Sequence, residues 1–425
     1  MGERLLVLSN GHGEDLIALR ILEALHRLRP GLQVAVLPLV GQGNGFAAAE
    51  AAGWLQRIGP RQLLPSGGFS NQSLRGLLAD LAAGLPLLSW RQWRLVRQWG
   101  RRGEPILAVG DLLPLWLAWC GGGPFGFVGT PKSDYTWASP SPRGWARSPL
   151  ADAYHRLKGS EWDPWEWALM GSHRCALVAV RDRLTARGLR RHGVAALAPG
   201  NPMLDGLANS ALPPALNARR RLLLLCGSRM PEALRNAAAL LSPLDHLSET
   251  GDLTVLMATG RDPSPAALAE LLLQKGFTQA SLAQQPGLPG GAAAPAAIWR
   301  RGGLELWLGP GCFAQWASWA EVGLANAGTA TEQLTGLGIA ALSLPGRGPQ
   351  FKPGFARRQS RLLGGAVMPC HSPGQLAERL SLLLAEPTLR QQLGSQGRRH
   401  MGTAGGSAAI AQLIGRRLLL PSAGG

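Results

Sequence analysis

Four turns in the sequence follow short apolar runs and carry residues that can do chemistry. In "SNGHGEDL", Gly11 and Gly13 let backbone N–H groups approach a ligand, the helix start behind them favours an anion, and His12, Glu14 and Asp15 add titratable groups. In "VGD", Asp111 ends an apolar run, where a carboxylate can take a proton; the same residue type is also a favoured helix N-cap. In "LCGSRMPE", Gly227 and Ser228 open a helical run, and the planar fork of Arg229 suits a diphosphate. In "NAGTATEQ", Gly328 and Thr329 form a second phosphate-type turn, with Glu332 one helical turn inside. A glutamate there can accept hydrogen bonds from the two hydroxyls of a ribose while the turn behind it holds phosphates. The spacing of Thr329 and Glu332 is equally that of a capping box.

These turns need elements to hold them. "RLLVLSN", "LQVAVLPLV", "ILAVGD", "PFGFVGT" and "CALVAVRD" read as strands alternating with helical segments. After a Pro- and Asn-containing break, "RLLLLCGSR", "LTVLMATG", "LELWLGP", "LANAG" and "IAALSLPG" continue the series. Such alternation predicts an α/β chain of two Rossmann-like, doubly wound parallel-sheet domains facing a central crevice. In open α/β sheets ligands bind outside the carboxyl ends of the strands, where all four turns fall. The expected division is a first domain over 1–207, a linker over 208–220 and a second domain over 221–425, with a last helix able to pack back on the first.

Composition narrows the partners. The chain has 425 residues, 46% of them hydrophobic, and a formal net charge of +17 that attracts anions of some kind or simply reflects its arginine usage. The five cysteines form no CxxC pair, which argues against zinc ribbons and a disulfide framework. No DxD carboxylate pair is well placed, so neither a metal nor a cofactor is expected. The N-terminus shows no leader pattern. Pro105–Val128 is apolar, but its Asp, Pro and Gly residues mark it as strand, short helix and strand. "LLSWRQWRLVRQWGRRG" interleaves Trp90, Trp93 and Trp99 with Arg91, Arg94 and Arg97. Tryptophan and arginine at helical spacing suit an anionic membrane surface; ordinary helix packing is the plain alternative, and nucleic acid is disfavoured. Trp162, Trp165 and Trp167 belong either to the same acceptor side or to packing.

The order of the motifs resembles GT-B glycosyltransferases that use UDP-sugars. In detail "GEDL", "CGSR", "AGTATE" and "FKP" resemble the lipid-A-disaccharide-synthase family, and "GNP" resembles the MurG-type transferases. The resemblance implies a metal-independent hexosyltransferase, working at the inner face of a membrane from the cytoplasm, with a UDP-sugar donor, possible donors including a UDP-acylglucosamine, and a lipid acceptor. By position it implies that Asp111 is the catalytic carboxylate, Arg229 the phosphate contact and Glu332 the ribose contact. It also implies that Lys352 and Gln359 lie in the segment closing over the nucleotide. The family's second aspartate has no counterpart in "VGDLLPLW". Two rival expectations stand beside this one: a non-hydrolysing UDP-sugar epimerase using carboxylates and a histidine, His12 or His173, and a non-catalytic nucleotide-sugar-binding protein at a membrane.

Overall fold

The computed structural model describes residues 3–11, 13–60, 81, 84–145, 149–207, 209–246, 253–346, 348 and 351–419. They form two compact units: Met1–Asp134 with Ala153–Asp205 and Thr403–Gly425, and Tyr135–Asp152 with Gly206–Gly402.

The first unit carries strands β1 (Arg4–Ser9), β2 (Gln33–Pro38), β3 (Leu55–Arg57), β4 (Ile106–Gly110), β5 (Phe125–Gly129), β6 (Cys175–Val180) and β7 (Ala196–Leu197). They form a parallel sheet in the order β3-β2-β1-β4-β5-β6-β7. Helices α1 (Gly13–Leu28), α2 (Leu85–Arg101), α3 (Leu112–Gly121) and α4 (Pro164–Met170) flank it. Every residue of β4 and β5 is buried, which is why these strands read as unbroken apolar runs: a parallel sheet is covered on both faces. Pro105–Val128 is accordingly strand, helix and strand, and among the described residues no helix is long and apolar enough to cross a membrane.

The second unit carries β8 (Arg220–Leu225), β9 (Leu253–Thr259), β10 (Thr278–Ala280), β11 (Ala297–Arg301), β12 (Leu304–Pro310), β13 (Val322–Ala325), β14 (Ala341–Ser343) and β15 (Val367–Pro369). The order is β10-β11-β12-β9-β8-β13-β14-β15. The strands are parallel from β12 onward, but β10, β11 and β12 pair antiparallel, an edge that the alternating pattern did not foretell. Helices α5 (Glu232–Leu241), α6 (Thr329–Gly336) and α7 (Pro353–Leu362) start near the carboxyl ends of β8, β13 and β14.

The chain changes unit more often than a single linker would allow. Tyr135–Asp152 lies within the first half of the sequence but packs in the second unit. There the buried Arg361 donates to the carbonyls of Ser139 (2.9 Å) and Trp137 (2.6 Å) and to Asp152 Oδ1 (2.7 Å), and Tyr135 stacks on His400. The last helix, α8 (Gly406–Arg417), packs on α1 in the first unit. Asp205 receives the backbone N–H groups of Gly405 and Ser407 at its start, and Arg29 donates to the Gly415 carbonyl near its end.

Candidate active site

Among the parallel strands of each sheet the order reverses once, and ligands of open α/β sheets bind at that reversal. In the second unit it lies between β8 and β13, and the turns of Gly227–Arg229 and Gly328–Glu332 follow those two strands. Gly227 has φ 85°, and a Cβ there would stand 3.2 Å from the Asn326 carbonyl, so glycine lets the two turns approach. Ser228 is exposed and Arg229 half-buried. Burial pushes the Arg229 guanidinium below its ordinary pKa, and Glu232 works the other way. Arginine stays charged under either influence.

The helix at Glu332 bears on one of the two readings of its spacing, the capping box. The N-cap of α6 is Gly328, without a side-chain cap, and Thr329 is the first helical residue. The capping box therefore does not form, and Glu332 sits half-buried one turn inside the helix. Gln359, buried on α7, donates to the carbonyls of Ala327 (2.9 Å) and Gly328 (3.3 Å) and so braces the turn from behind. Lys352 is exposed at the N-cap position of α7.

Several residues that hold this site carry no motif signal. Asn326 accepts from Leu344 N–H (2.9 Å) and donates to the Leu344 carbonyl (2.7 Å), while its amide also meets Asn236 Oδ1 (3.3 Å). Asn236 in turn donates to the Cys226 carbonyl (3.1 Å). Two buried amides thus tie together the ends of β8, β13 and β14. Glu232, 5% exposed, accepts from Phe351 N–H (2.8 Å) and anchors the chain just before Lys352. The clue in the sequence was a polar residue closing an apolar strand in "GLANAG".

In the first unit the reversal lies between β1 and β4, whose turns carry Gly11–Asp15 and Asp111. The Gly11 carbonyl accepts from Glu14 N–H (3.1 Å), and Gly13 begins α1. The two turns adjoin, since a Cβ built on Gly110 would lie 3.6 Å from Glu14 Cγ. Asp15 is 4% exposed and accepts from Ser9 Oγ (2.5 Å), which makes it a brace within the turn rather than a crevice group. His12 lies outside the described residues. His173 is exposed just ahead of the amino end of β6, at the end of the strands opposite to the carboxyl ends where these turns lie.

Asp111 caps α3: its Oδ1 accepts from Leu113 N–H at 3.1 Å. Capping does not remove it from the surface, because it also lines a cavity of about 590 Å³ whose other walls are Leu112, Leu113, Trp116, Trp119, Trp165 and Leu169. Behind α4, Lys132 meets the fully buried Glu166 at 2.5 and 2.7 Å. Burial pushes the Glu166 carboxyl above its usual range despite that bond. For Asp163 burial also acts upward, but Lys158 and its other partners win and hold it below. Asp163 and Glu166 form the capping box of α4, a D-x-x-E signal that was present in the sequence.

The Trp/Arg helix divides. Leu88, Gln92, Val96 and Trp99 form the buried stripe of α2, while Trp90, Arg91, Trp93 and Arg94 are exposed. Trp99, expected on the membrane face, is instead 7% exposed, donates to the Pro105 carbonyl and lies under Arg4, so it is a packing residue. Arg97 is half-buried and donates to the Cys120 carbonyl at the end of α3. The cysteines are all free; burial pushes Cys175 up to about 12 and Cys226 and Cys370 up to about 11, far from nucleophilic thiolates at neutral pH.

No protein-family model matches the sequence, and no curated protein matches it. Solved structures match over nearly their full length. A putative UDP-N-acetylglucosamine 2-epimerase from Listeria monocytogenes is similar with a TM-score of 0.55 and 11% identity, over 97% of this chain and 96% of that one. MurG from Acinetobacter baumannii is similar with a TM-score of 0.53 and 13% identity, over 97% and 99%. A UDP-GlcNAc 2-epimerase from Neisseria meningitidis, solved with UDP-GlcNAc, gives 0.53 and 12%, over 97% and 100%. Identities at this level carry the fold: two Rossmann-like α/β domains of the GT-B class.

Proposed function

We propose that this chain is a metal-independent glycosyltransferase that moves a sugar from a UDP-sugar to a hydroxyl of a lipid acceptor, working from the cytoplasmic side at an anionic membrane face. The observation that carries the donor half is the pair of turns at the β8/β13 reversal. They offer backbone amides, Arg229 and Glu332 together, braced by Gln359 and Asn326. Glu332 accepts from the ribose hydroxyls, and Arg229 with the starts of α5 and α6 stabilises the diphosphate. One solved structure of this fold was obtained with UDP-GlcNAc, which agrees with that assignment. The motif order resembling lipid-A-disaccharide synthases supports a hexosyl donor such as a UDP-acylglucosamine.

The chemistry is a single displacement. Asp111 takes the proton of the acceptor hydroxyl as its oxygen bonds to the anomeric carbon, the bond from that carbon to the UDP oxygen breaks, and UDP leaves with the electron pair. Configuration at that carbon inverts. The negative charge that develops on the leaving diphosphate is stabilised by Arg229 and helix N-termini, the part a metal plays in other transferases.

The epimerase reading has one observation behind it, the equally good likeness to UDP-GlcNAc 2-epimerases. The apolar walls around Asp111 suit a lipid acceptor and favour the transferase. The test incubates the protein with tritiated UDP-GlcNAc, with and without membrane lipid extract. The transferase reading expects label in the organic phase and UDP release only when lipid is present. Conversion of the UDP-sugar to its C2 epimer without lipid would establish the rival.

A further inference from the structure

Among the described residues the exposed tryptophans are Trp90, Trp93, Trp116, Trp119 and Trp165, and all five lie on α2, α3 and α4 of the first unit. Three of them, with Leu112, Leu113 and Leu169, wall the cavity beside Asp111. Trp165 is 56% exposed, Trp116 45% and Leu113 40%. Apolar surface left open in this concentration marks an interaction site. A volume near 590 Å³ falls within the roughly 300–1,000 Å³ of small-molecule pockets.

The charge around the cavity says what kind of molecule fits. Arg174 lies over the Trp119 ring, 5.7 Å from its centroid, and Arg97 is fixed against the Cys120 carbonyl one residue on. Arg91 and Arg94 are exposed on α2, which packs on α3. The nearby acids Asp163 and Glu166 are paired with Lys158 and Lys132, leaving Asp111 as the one carboxylate in the lining.

We propose that this cavity holds the hydrocarbon tail of a single anionic amphiphile, the acceptor, with its head group at the rim beside Asp111. This deepens the transferase reading and rests on it for the word acceptor. Leucines and indoles take the chain, and the arginines attract the negative head. The acceptor hydroxyl is thereby held near the base, so the tail serves as a positioning handle: affinity follows the length of a part of the molecule that does not react.

The test uses 9,10-dibromostearate below its aggregation concentration, because bromine quenches an indole that it touches. The expected result is saturable quenching with one molecule per chain, weakened at least tenfold in Leu113→Gln and in Trp165→Gln, both at solvent-exposed positions. UDP affinity and the circular dichroism spectrum should stay unchanged. In a series of alkyl phosphates each methylene removed should weaken binding about fourfold, the equivalent of about 0.8 kcal/mol. Affinity independent of chain length, or unchanged in both variants, overturns the proposal. So does a doubled mass by light scattering that the amphiphile fails to dissociate, since the face would then be a contact between copies. If the bromolipid binds as expected while no lipid extract accepts sugar, the tail pocket stands and the transferase reading falls. If a water-soluble acceptor reacts as fast as a long-chain one, the transferase stands and the tail pocket falls.

Discussion

At the ends of β1 and β4 the chain leaves indoles in solvent around one carboxylate; at the ends of β8 and β13 it buries amides behind glycines and an arginine. Both places are the strand-order reversal of a Rossmann-like sheet. The fold supplies the same geometry twice, and the side chains decide which ligand each can hold. Glycines and amide N–H groups suit phosphates and sugar hydroxyls, which need many short directional bonds. Tryptophan and leucine suit hydrocarbon, which needs area. The bracing differs in the same sense: Asn326, Asn236 and Gln359 hold turns by directional hydrogen bonds, while the cavity wall rests on helix-to-helix packing.

This contrast can be broken. Asp111→Asn keeps the shape and the cap but removes proton acceptance, so turnover should drop by about 10²–10⁴ with UDP affinity unchanged, checked by steady-state kinetics beside calorimetric titration. Normal turnover would move the base to Glu14, the neighbouring titratable group on the adjoining turn. The next effect separates two tryptophans of one helix. Trp99→Ala should cost about 3–5 kcal/mol of stability, and Trp90→Ala no more than about 0.5 kcal/mol, measured by urea denaturation. Equal losses would mean that both faces of α2 are covered. Asn326→Ala strips partners from both the N–H and the carbonyl of Leu344, and each buried group left unsatisfied should cost about 1–3 kcal/mol. The smallest expected effect belongs to Arg91→Glu with Arg94→Glu. At about 1 kcal/mol per arginine, the pair should lower binding to anionic vesicles roughly thirtyfold or more, with high salt doing likewise to the wild type. Arg97 is left out because it braces the Cys120 carbonyl.

Much of the fold was legible because buried parallel strands are short unbroken apolar runs between turns, as in "ILAVG" and "RLLLL". The turns holding Asp111, Arg229 and Glu332 were legible for the same reason, since they directly follow such runs. The division of α2 was available too: Leu88, Gln92, Val96 and Trp99 share one helical face, which Trp90 and Trp93 do not. What stayed hidden depends on distant partners. Asn326 meets residues 18 and 90 positions away, and Arg361 binds a segment more than 200 positions earlier. The cavity was hidden because its walls come from two helices, α3 and α4, that are separated by a strand and a long connection. The edge formed by β10 and β11 escaped because "AIWRR" is short and follows a Pro/Gly-rich loop.

The central claim is that the two reversals divide the labour, nucleotide at β8/β13 and acceptor at β1/β4. Calorimetric titration of UDP into three proteins tests it most directly: wild type, Glu332→Ala and Asp111→Asn. Loss of charge-assisted hydrogen bonding to the ribose, worth roughly 1.5–3 kcal/mol, should raise the Kd of Glu332→Ala by about 10–150-fold. Asp111→Asn should stay within about twofold of wild type on the same scale. A wild-type Kd in folded Glu332→Ala, or a large rise in Asp111→Asn, would contradict the account.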